Sequence, residues 1–339
     1  MPSTLARVYR NGILESVHRG SIVVVDGAEN VIRSVGDPEM VTFWRSSAKA
    51  FQALPFVACG GADAFGYSEH EIALACASHS GENFHVETAR GMLSRAGFFE
   101  HDLQCGPQVP FDQKSAETLI REGISPSQLH NNCSGKHAAM LAFAKHIGTD
   151  PASYLDLDGD VQKRILEIVS KFTSLPRDEI GLGTDGCSAP NFAVSLRSMA
   201  VAYLRLVSPP SEFGEEVASA SKRIVAAATA FPEYVGGSER LDTKVMRALK
   251  GNVFTKVGAE GVWTVGILPS EAWPKGAAFA LKIDDGDDFR ARPAVGIEIL
   301  RRLGLMTPEA EKELGEFSPI KLKNRNEIEV GEVVAEIEF

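Results

Sequence analysis

Apolar and polar positions follow a strand-like pattern near both ends of the chain and a helical period in between. Two β-branched runs, 21–25 and 30–35, flank a turn at 26–29 that contains Asp26-Gly27, which is a hairpin signal. Further strand patterns occur at 261–267, 277–283, 289–292 and 327–339. The helical period, with apolar residues every three or four positions, is found at 138–146, 161–172, 215–229 and 294–303.

This pattern predicts an α+β fold built on one mostly antiparallel sheet. The sheet is expected to use about residues 1–45 and 255–339, whereas about 46–254 is largely helical, flanks the sheet and forms a helical lobe. Ser68 and Glu71 have the spacing of a capping box and predict a helix start. We expect the chain, 1–339, to form a single domain.

Composition excludes several classes of protein. The 339 residues carry a formal net charge of −10 and no basic block of the kind that nucleic-acid binding requires. No stretch of 18 apolar residues is present, so we expect no membrane partner. The N-terminus lacks the apolar core of a secretory signal, and the cysteines number five. An odd count without a signal predicts free thiols and a cytoplasmic location.

The run Arg45-Ser46-Ser47-Ala48-Lys49 is the first candidate for chemistry. If this run opens a helix, Ser46 and Lys49 share a face at a spacing of three residues, and a lysine that burial keeps neutral can activate a serine. Ser-x-x-Lys also occurs at 219–222 and 318–321, and most such pairs are solvated surface pairs. The first copy precedes an apolar helix, where backbone N–H groups can stabilise negative charge. The alternative is that Ser46 or Ser47 merely caps this helix.

Two further segments contain residues that can assist such a serine. Ser78 lies in a small polar loop, Ala77-Ser78-His79-Ser80-Gly81-Glu82, that suits a second catalytic hydroxyl. The alternative reading is that Ser80 only caps the next helix. Lys256 precedes the strand pattern at 261–267, and it is either partly buried or an ordinary loop lysine.

Two loops each present one cysteine among polar residues. Cys133 lies in Asn131-Asn132-Cys133-Ser134-Gly135-Lys136-His137, and Cys187 lies in Thr184-Asp185-Gly186-Cys187-Ser188. Two thiolates with Lys136 or His137 as a third ligand can bind Zn²⁺, which prefers sulfur and nitrogen. On general grounds histidine is the commoner ligand. Two free thiols or a redox pair are the alternatives.

Taken in order along the chain, these segments resemble the L-asparaginase II family of the inducible rhizobial type, from about residue 8 to about residue 305. The matching runs are Arg45-Ser46-Ser47-Ala48-Lys49, Cys76-Ala77-Ser78-His79-Ser80, Asn132-Cys133-Ser134-Gly135-Lys136-His137, Thr184-Asp185-Gly186-Cys187, Pro232-Glu233, Met246-Arg247-Ala248 and Lys256-Val257-Gly258-Ala259.

The resemblance implies a fold like serine β-lactamases and bacterial glutaminases, a homodimer, and hydrolysis of L-asparagine to L-aspartate and ammonia. It implies that Ser46 is the nucleophile with Lys49 as its base, and that Ser78 and Lys256 form a second Ser–Lys pair. The family usually has alanine at position 47, and the spacing to Lys49 favours Ser46 over Ser47.

The resemblance also implies a zinc ion held by Cys133, Lys136 and Cys187, with Asp185 in the outer shell. We expect Arg45, Asp185 and His137 to contribute to substrate binding, and zinc to position the substrate rather than to generate the nucleophile. Competing hypotheses are a glutaminase or a related serine amidohydrolase. A zinc-stabilised binding protein without catalytic activity is a further alternative. The Ser-Asp-Asn and Lys-Thr-Gly motifs of β-lactam-binding enzymes are absent from the sequence.

Overall fold

The computed structural model describes residues 3–339. The strands are β1 (Ser3–Arg10), β2 (Ile13–Asp26), β3 (Val31–Val35), β4 (Val41–Phe43), β5 (Gly181–Thr184), β6 (Pro190–Ser195), β7 (Val253–Val257), β8 (Val262–Ile267), β9 (Ala277–Ile283), β10 (Ile320–Lys323) and β11 (Glu329–Ala335). The helices are α1 (Lys49–Ala58), α2 (Gly61–Ala64), α3 (Glu69–Ala75), α4 (Asn83–Ala96), α5 (Gln113–Glu122), α6 (Ser134–His146), α7 (Asp160–Thr173), α8 (Leu196–Val207), α9 (Glu215–Ala230), α10 (Pro232–Val235), α11 (Leu241–Ala248), α12 (Ala291–Arg302) and α13 (Pro308–Leu314).

The chain divides into two compact units. The first contains the chain up to Ser47 together with Val194–Ser208 and Lys244–Phe339. The second contains Ala48–Ala193 and Pro209–Thr243. The expectation of a single domain over residues 1–339 stays a prediction.

The first unit is built on an antiparallel sheet. Its strand order is β10-β11-β1-β2-β9-β8-β7, and β3 pairs with β2 outside this path. The predicted hairpin is present, because Val25 pairs with Val31 across the turn that follows Asp26. Strands from both ends of the chain therefore share one sheet, and the predicted α+β fold class is confirmed.

Two helices cover opposite faces of this sheet. Every residue of β7, β8 and β9 is buried. A Cβ at Gly266 of β8 would meet Val207 of α8, whereas Trp263 of the same strand contacts α12 at Gly296. Because positions 263 and 266 point to opposite faces of a strand, α8 and α12 lie on opposite sides.

The second unit is mainly helical. Its helices pack in the pairs α4 with α6, α1 with α7, α1 with α9, and α3 with α9. The predicted capping box is present, because the carboxylate of Glu71 accepts from the backbone N–H of Ser68 at 2.9 Å. A short hairpin, β5 and β6, pairs Thr184 with Pro190 across the loop that carries Cys187.

Two local expectations were wrong. Residues 289–292 do not form a strand, because the carboxylate of Asp287 accepts from the backbone N–H groups of Arg290 and Ala291 and starts α12 there. Lys256 is not a loop residue ahead of a strand, since it lies within β7 and is fully buried.

Among the helices of residues 3–339, none combines the length and the apolar character that crossing a bilayer demands.

Candidate active site

Residues Arg45–Ala48 form a single 3-10 turn, of which Arg45, Ser46 and Ser47 belong to the first unit. Ser46 is partly exposed, whereas Ser47 is completely buried. Arg45 has φ of 55°, in the left-handed region that a non-glycine residue adopts only when its surroundings hold it there. The turn therefore leaves Ser46 accessible and fixes its neighbours.

The strand β7 places Lys256 in the same unit. Its Nζ donates to the carbonyl of Val257 at 3.0 Å, and its own backbone carbonyl accepts the hydroxyl of Ser47 at 2.7 Å. The turn with Ser46 and the strand with Lys256 are thus joined through Ser47. The sequence indicated only two things about Ser47: that it can cap a helix and that it departs from a family pattern.

In the second unit, Lys49 and Ser78 are in direct contact. Lys49 begins α1 and is 1% exposed. Its Nζ lies 2.9 Å from the Oγ of Ser78 and 2.5 Å from the carbonyl oxygen of Ala77. A serine–lysine contact of this kind allows a proton to pass between the two side chains.

The loop that carries Ser78 is held on both sides. The backbone N–H of Ser78 donates to Val235, and that of His79 donates to Asn132. Further along, the carboxylate of Glu82 accepts from the N–H and the hydroxyl of Ser238 at 2.8 and 2.7 Å. The end of α10 therefore positions Ser78, and the segment after α10 holds the end of the same loop at Glu82. Sequence reasoning did not find this support, and its one signal was the Pro232-Glu233 run.

A second group, the thiol cluster of Cys133, Lys136 and Cys187, also lies in the second unit. Cys133 precedes α6, whose first turn contains Lys136, and Cys187 lies in the β5–β6 loop. The Nζ of Lys136 is 3.2 Å from the Sγ of Cys187, and all three residues are buried. A carboxylate oxygen of Asp185 lies 3.8 Å from the same sulfur. The structure therefore brings together two loops that are 54 residues apart at their cysteines.

In the thiol cluster, neighbouring groups shift the pKa of each residue. Hydrogen bonding by Cys133 lowers the pKa of Cys187 far below its ordinary value, against the effect of burial, and Lys136 adds to this. The same hydrogen bond and burial raise the pKa of Cys133. Burial lowers the pKa of Lys136, but the charges of Cys187, Cys133 and Asp185 together with the hydrogen bond to Cys187 outweigh it and raise that pKa. Both shifts favour the charged forms of Cys187 and Lys136, so Lys136 must lose a proton before its nitrogen can bind a metal.

His137 completes this region. Its Nδ1 lies 2.7 Å from the hydroxyl of Tyr154, and its Nε2 is buried without a hydrogen-bond partner among the described residues. Burial lowers the pKa of the ring. Sulfur and imidazole nitrogen are donor types that Zn²⁺ prefers, and a deprotonated Lys136 amine would add a further nitrogen, so the residues present fit this metal. Within residues 3–339, no group of three or more His, Cys, Asp or Glu side chains has the arrangement of a metal site.

Several solved structures are similar to this chain at low identity. A probable glutaminase from Bacillus subtilis is 12% identical with a TM-score of 0.37, and 84% of each chain is covered. The native form of Mglu is 14% identical with a TM-score of 0.43, covering 86% of this chain and 66% of that one. A β-lactamase from Burkholderia ambifaria is 13% identical with a TM-score of 0.39, covering 86% and 95%. At these values the likeness carries no information about the reaction.

No curated protein matches this sequence. The family described as L-asparaginase II matches residues 6–335, which is nearly the whole chain. The match includes the serine, lysine and cysteine segments described above. The chain therefore belongs to the L-asparaginase II family, and this membership supports an amidohydrolase.

Proposed function

We propose that the protein is an L-asparaginase that hydrolyses L-asparagine to L-aspartate and ammonia. The observation that carries the proposal is the contact between the buried amine of Lys49 and the hydroxyl of Ser78, in a chain of this family. An isolated surface lysine would not need such a partner. A buried amine beside a hydroxyl is the arrangement that proton transfer during amide hydrolysis requires.

Ser46 is the proposed nucleophile. Its hydroxyl oxygen attacks the carbon of the side-chain carboxamide and forms a tetrahedral oxyanion, which backbone N–H groups stabilise. Lys49 is the proposed base that takes the Ser46 proton. When the oxyanion collapses, the carbon–nitrogen bond breaks and ammonia leaves with that proton. Water then attacks the acyl-enzyme and releases L-aspartate, which restores the Ser46 hydroxyl.

Ser78 is the proposed proton relay between Lys49 and the leaving nitrogen. Its hydroxyl gives its own proton to the departing amine and takes one from Lys49 in the same step, so the charge balances. The hydrogen bond from Lys49 to Ala77 keeps the amine beside this relay. Lys256 is the proposed partner of Ser78 in a second Ser–Lys pair, and Arg45, His137 and Asp185 are proposed to bind the substrate.

A zinc ion would be held by Cys133, Lys136 and Cys187. As a Lewis acid, the zinc ion would position the substrate. The close approach of the Lys136 Nζ to the Sγ of Cys187, at 3.2 Å, supports this proposal, and the lowered pKa of Cys187 favours the thiolate form that binds metals. Asp185 would lie outside the direct ligands.

We also propose a cytoplasmic homodimer. The mass of the protein in solution, from light scattering, tests the dimer.

The experiment that tests the substrate measures ammonia release from L-asparagine and from L-glutamine under the same conditions. A preference for L-asparagine is expected. One additional methylene changes binding by about 1–3 kcal/mol, so we expect a preference of about 10- to 200-fold. Equal rates, or faster release from L-glutamine, would identify a glutaminase instead.

A further inference from the structure

The hydroxyl of Ser47 is committed to a backbone contact in the first unit. Ser47 is 0% exposed, and its Oγ donates to the carbonyl of Lys256 at 2.7 Å. The hydroxyl of Thr264 is 3.5 Å from the same carbonyl. Because the single proton of Ser47 is used in this bond and no solvent reaches it, Ser47 is suited to holding the chain rather than to attacking a substrate.

Tyr203 holds the other end of the same residue. Its hydroxyl donates to the backbone carbonyl of Ser47 at 2.8 Å, and its side chain is completely buried. The ring of Tyr203 stacks on Phe254, with centroids 5.6 Å apart and planes 17° apart. Phe254 and Lys256 share one face of β7, since side chains alternate along a strand. Helix α8 therefore fixes both Ser47 and the strand that Ser47 contacts.

Gly258, just after β7, shows how closely the end of β7 approaches the 3-10 turn that contains Ser46. A Cβ at this position would lie 2.7 Å from the carbonyl oxygen of Trp44 and 3.2 Å from the Oγ of Ser47. Only a hydrogen atom fits there without displacing backbone. The distance between the Ser46 turn and the end of β7 is thus set by contact and not only by a hydrogen bond.

The turn itself needs such support. Arg45 adopts φ of 55°, a strained conformation for a residue other than glycine. Ser47 lies two residues further on, where its N–H, hydroxyl and carbonyl are bonded to Trp44, Lys256 and Tyr203 respectively. Ser46 therefore lies between Arg45, whose backbone is strained, and Ser47, whose backbone and side chain are both hydrogen-bonded.

We propose that Ser47 and Tyr203 are positioning residues that hold the hydroxyl of Ser46 in its reactive direction. Neither touches the substrate, and both act through the backbone of the Ser46 turn. The inference rests on the proposed function only in taking Ser46 as the nucleophile. It also assigns a role to the second hydroxyl of the Ser46-Ser47 pair.

The first test compares Ser47→Ala with Ser21→Ala. Ser21 is a matched control, because it is 1% exposed in the same unit and its Oγ accepts one backbone N–H, that of Asp37, at 3.0 Å. We expect both variants to melt a few degrees below the wild type. Only Ser47→Ala should lower kcat for L-asparagine, by about tenfold with KM nearly unchanged. The loss is smaller than the about 100-fold cost of misplacing a reacting group by about 1 Å, because alanine is the usual family residue here and the backbone bonds of residue 47 to Trp44 and Tyr203 remain.

The second test compares Tyr203→Phe with Tyr67→Phe. Tyr67 is also buried, and its hydroxyl donates to the carbonyl of Met92 at 3.3 Å. Each variant loses one phenol-to-carbonyl hydrogen bond and keeps its ring. Only Tyr203→Phe should lower kcat. The proposal is overturned if Tyr203→Phe and Tyr67→Phe, or Ser47→Ala and Ser21→Ala, lower kcat by the same factor for the same drop in melting temperature. Ser47 and Tyr203 would then be merely structural.

A readout without substrate separates this inference from the proposed function. The rate at which a fluorophosphonate modifies Ser46, located by peptide mapping, should fall in Ser47→Ala and Tyr203→Phe and stay at the wild-type value in the two controls. If the wild type is labelled at Ser46 but releases no ammonia from L-asparagine, the substrate proposal fails and the labelling rates still decide the inference. If the wild type is labelled at Ser47 instead, the inference fails.

Discussion

The Nζ of Lys49 lies 2.9 Å from the Oγ of Ser78, and both side chains are buried in the second unit. The two residues are 29 positions apart, in α1 and in the loop between α3 and α4. The contact gives Lys49 a role that its spacing from Ser46 alone does not reveal. Lys49 is both the proposed base and the donor that fixes the proposed relay.

Replacing Lys49 with methionine removes this amine and keeps most of its volume. Since general acid–base catalysis contributes about 10²- to 10⁴-fold, we expect kcat for L-asparagine to fall by that factor. Lys145→Met is the matched control, because the Nζ of Lys145 also donates to a backbone carbonyl, that of Ala96, at 2.7 Å. Ammonia release by the two variants checks the prediction, and a Lys49→Met protein with activity equal to the control contradicts it.

The thiol cluster should determine the metal content. We expect the purified protein to contain about one zinc ion per chain and Cys187→Ser to lose it, because the substitution removes the buried thiolate. Cys59→Ser is the control, since Cys59 is an exposed free thiol. Elemental analysis measures the zinc content per chain of both variants and of the wild type. Zinc retained in Cys187→Ser, or absent from the wild type purified without chelator, counts against the proposed ligands.

Stability should fall in mild acid because of His85. Its Nδ1 accepts from the backbone N–H of Glu82 and its Nε2 lies 2.9 Å from the carbonyl of Glu233, so the neutral ring satisfies both bonds. The ring stacks on His79, 4.8 Å away, whose pKa burial also lowers. Burial lowers the pKa of His85 to about 4, although Glu82, Glu233 and Asp112 oppose this.

The lowered pKa of His85 determines how stability depends on pH. The unfolded chain, with an ordinary histidine pKa near 6.5, binds the proton more tightly than the folded protein, so stability is complete above about pH 6.5 and is lost as the pH falls toward 4. The loss from His85 is about 3 kcal/mol. Urea denaturation of wild type and His85→Gln between pH 7 and pH 4 measures it. A variant that loses as much stability as the wild type over this range would show that His85 is not responsible.

Two helical glycines should respond in opposite ways to alanine. In α12, a Cβ at Gly296 would overlap the ring of the buried Trp263, so Gly296→Ala should destabilise the protein by about 1–3 kcal/mol. In α4, the space around Gly91 is open to 3.7 Å, so Gly91→Ala should stabilise it by up to about 1 kcal/mol. Chemical denaturation of both variants checks the packing, and destabilisation of similar size in both would contradict it.

The sheet could be predicted from the sequence because its strands alternate or are continuously apolar, and because turn residues separate them. The segment 289–292 was mistaken for a strand, since the carboxylate of Asp287 outweighs its local pattern by starting a helix. Lys256 was difficult for a different reason. A lysine inside a fully buried strand contradicts ordinary burial preferences, and only its partners in the fold explain it.

The candidate residues could be named from motif order, but their contacts could not. Cys133 and Cys187 lie on separate loops, and nothing local indicates that these loops meet. The two serines at 46 and 47 are chemically identical in sequence, and they differ only because one is partly exposed whereas the other is buried against β7. Tyr203 carries no motif at all, and its hydroxyl gains a role only when α8 packs beside the Ser46 turn.

The most direct test of the central claim is ammonia release from L-asparagine by the wild type and by Ser46→Ala, with folding of both confirmed by circular dichroism. The wild type should release ammonia, and Ser46→Ala should lose about 10⁴-fold or more of kcat, since the covalent step then has no nucleophile. A folded Ser46→Ala protein that retains activity within about tenfold of the wild type would contradict the account.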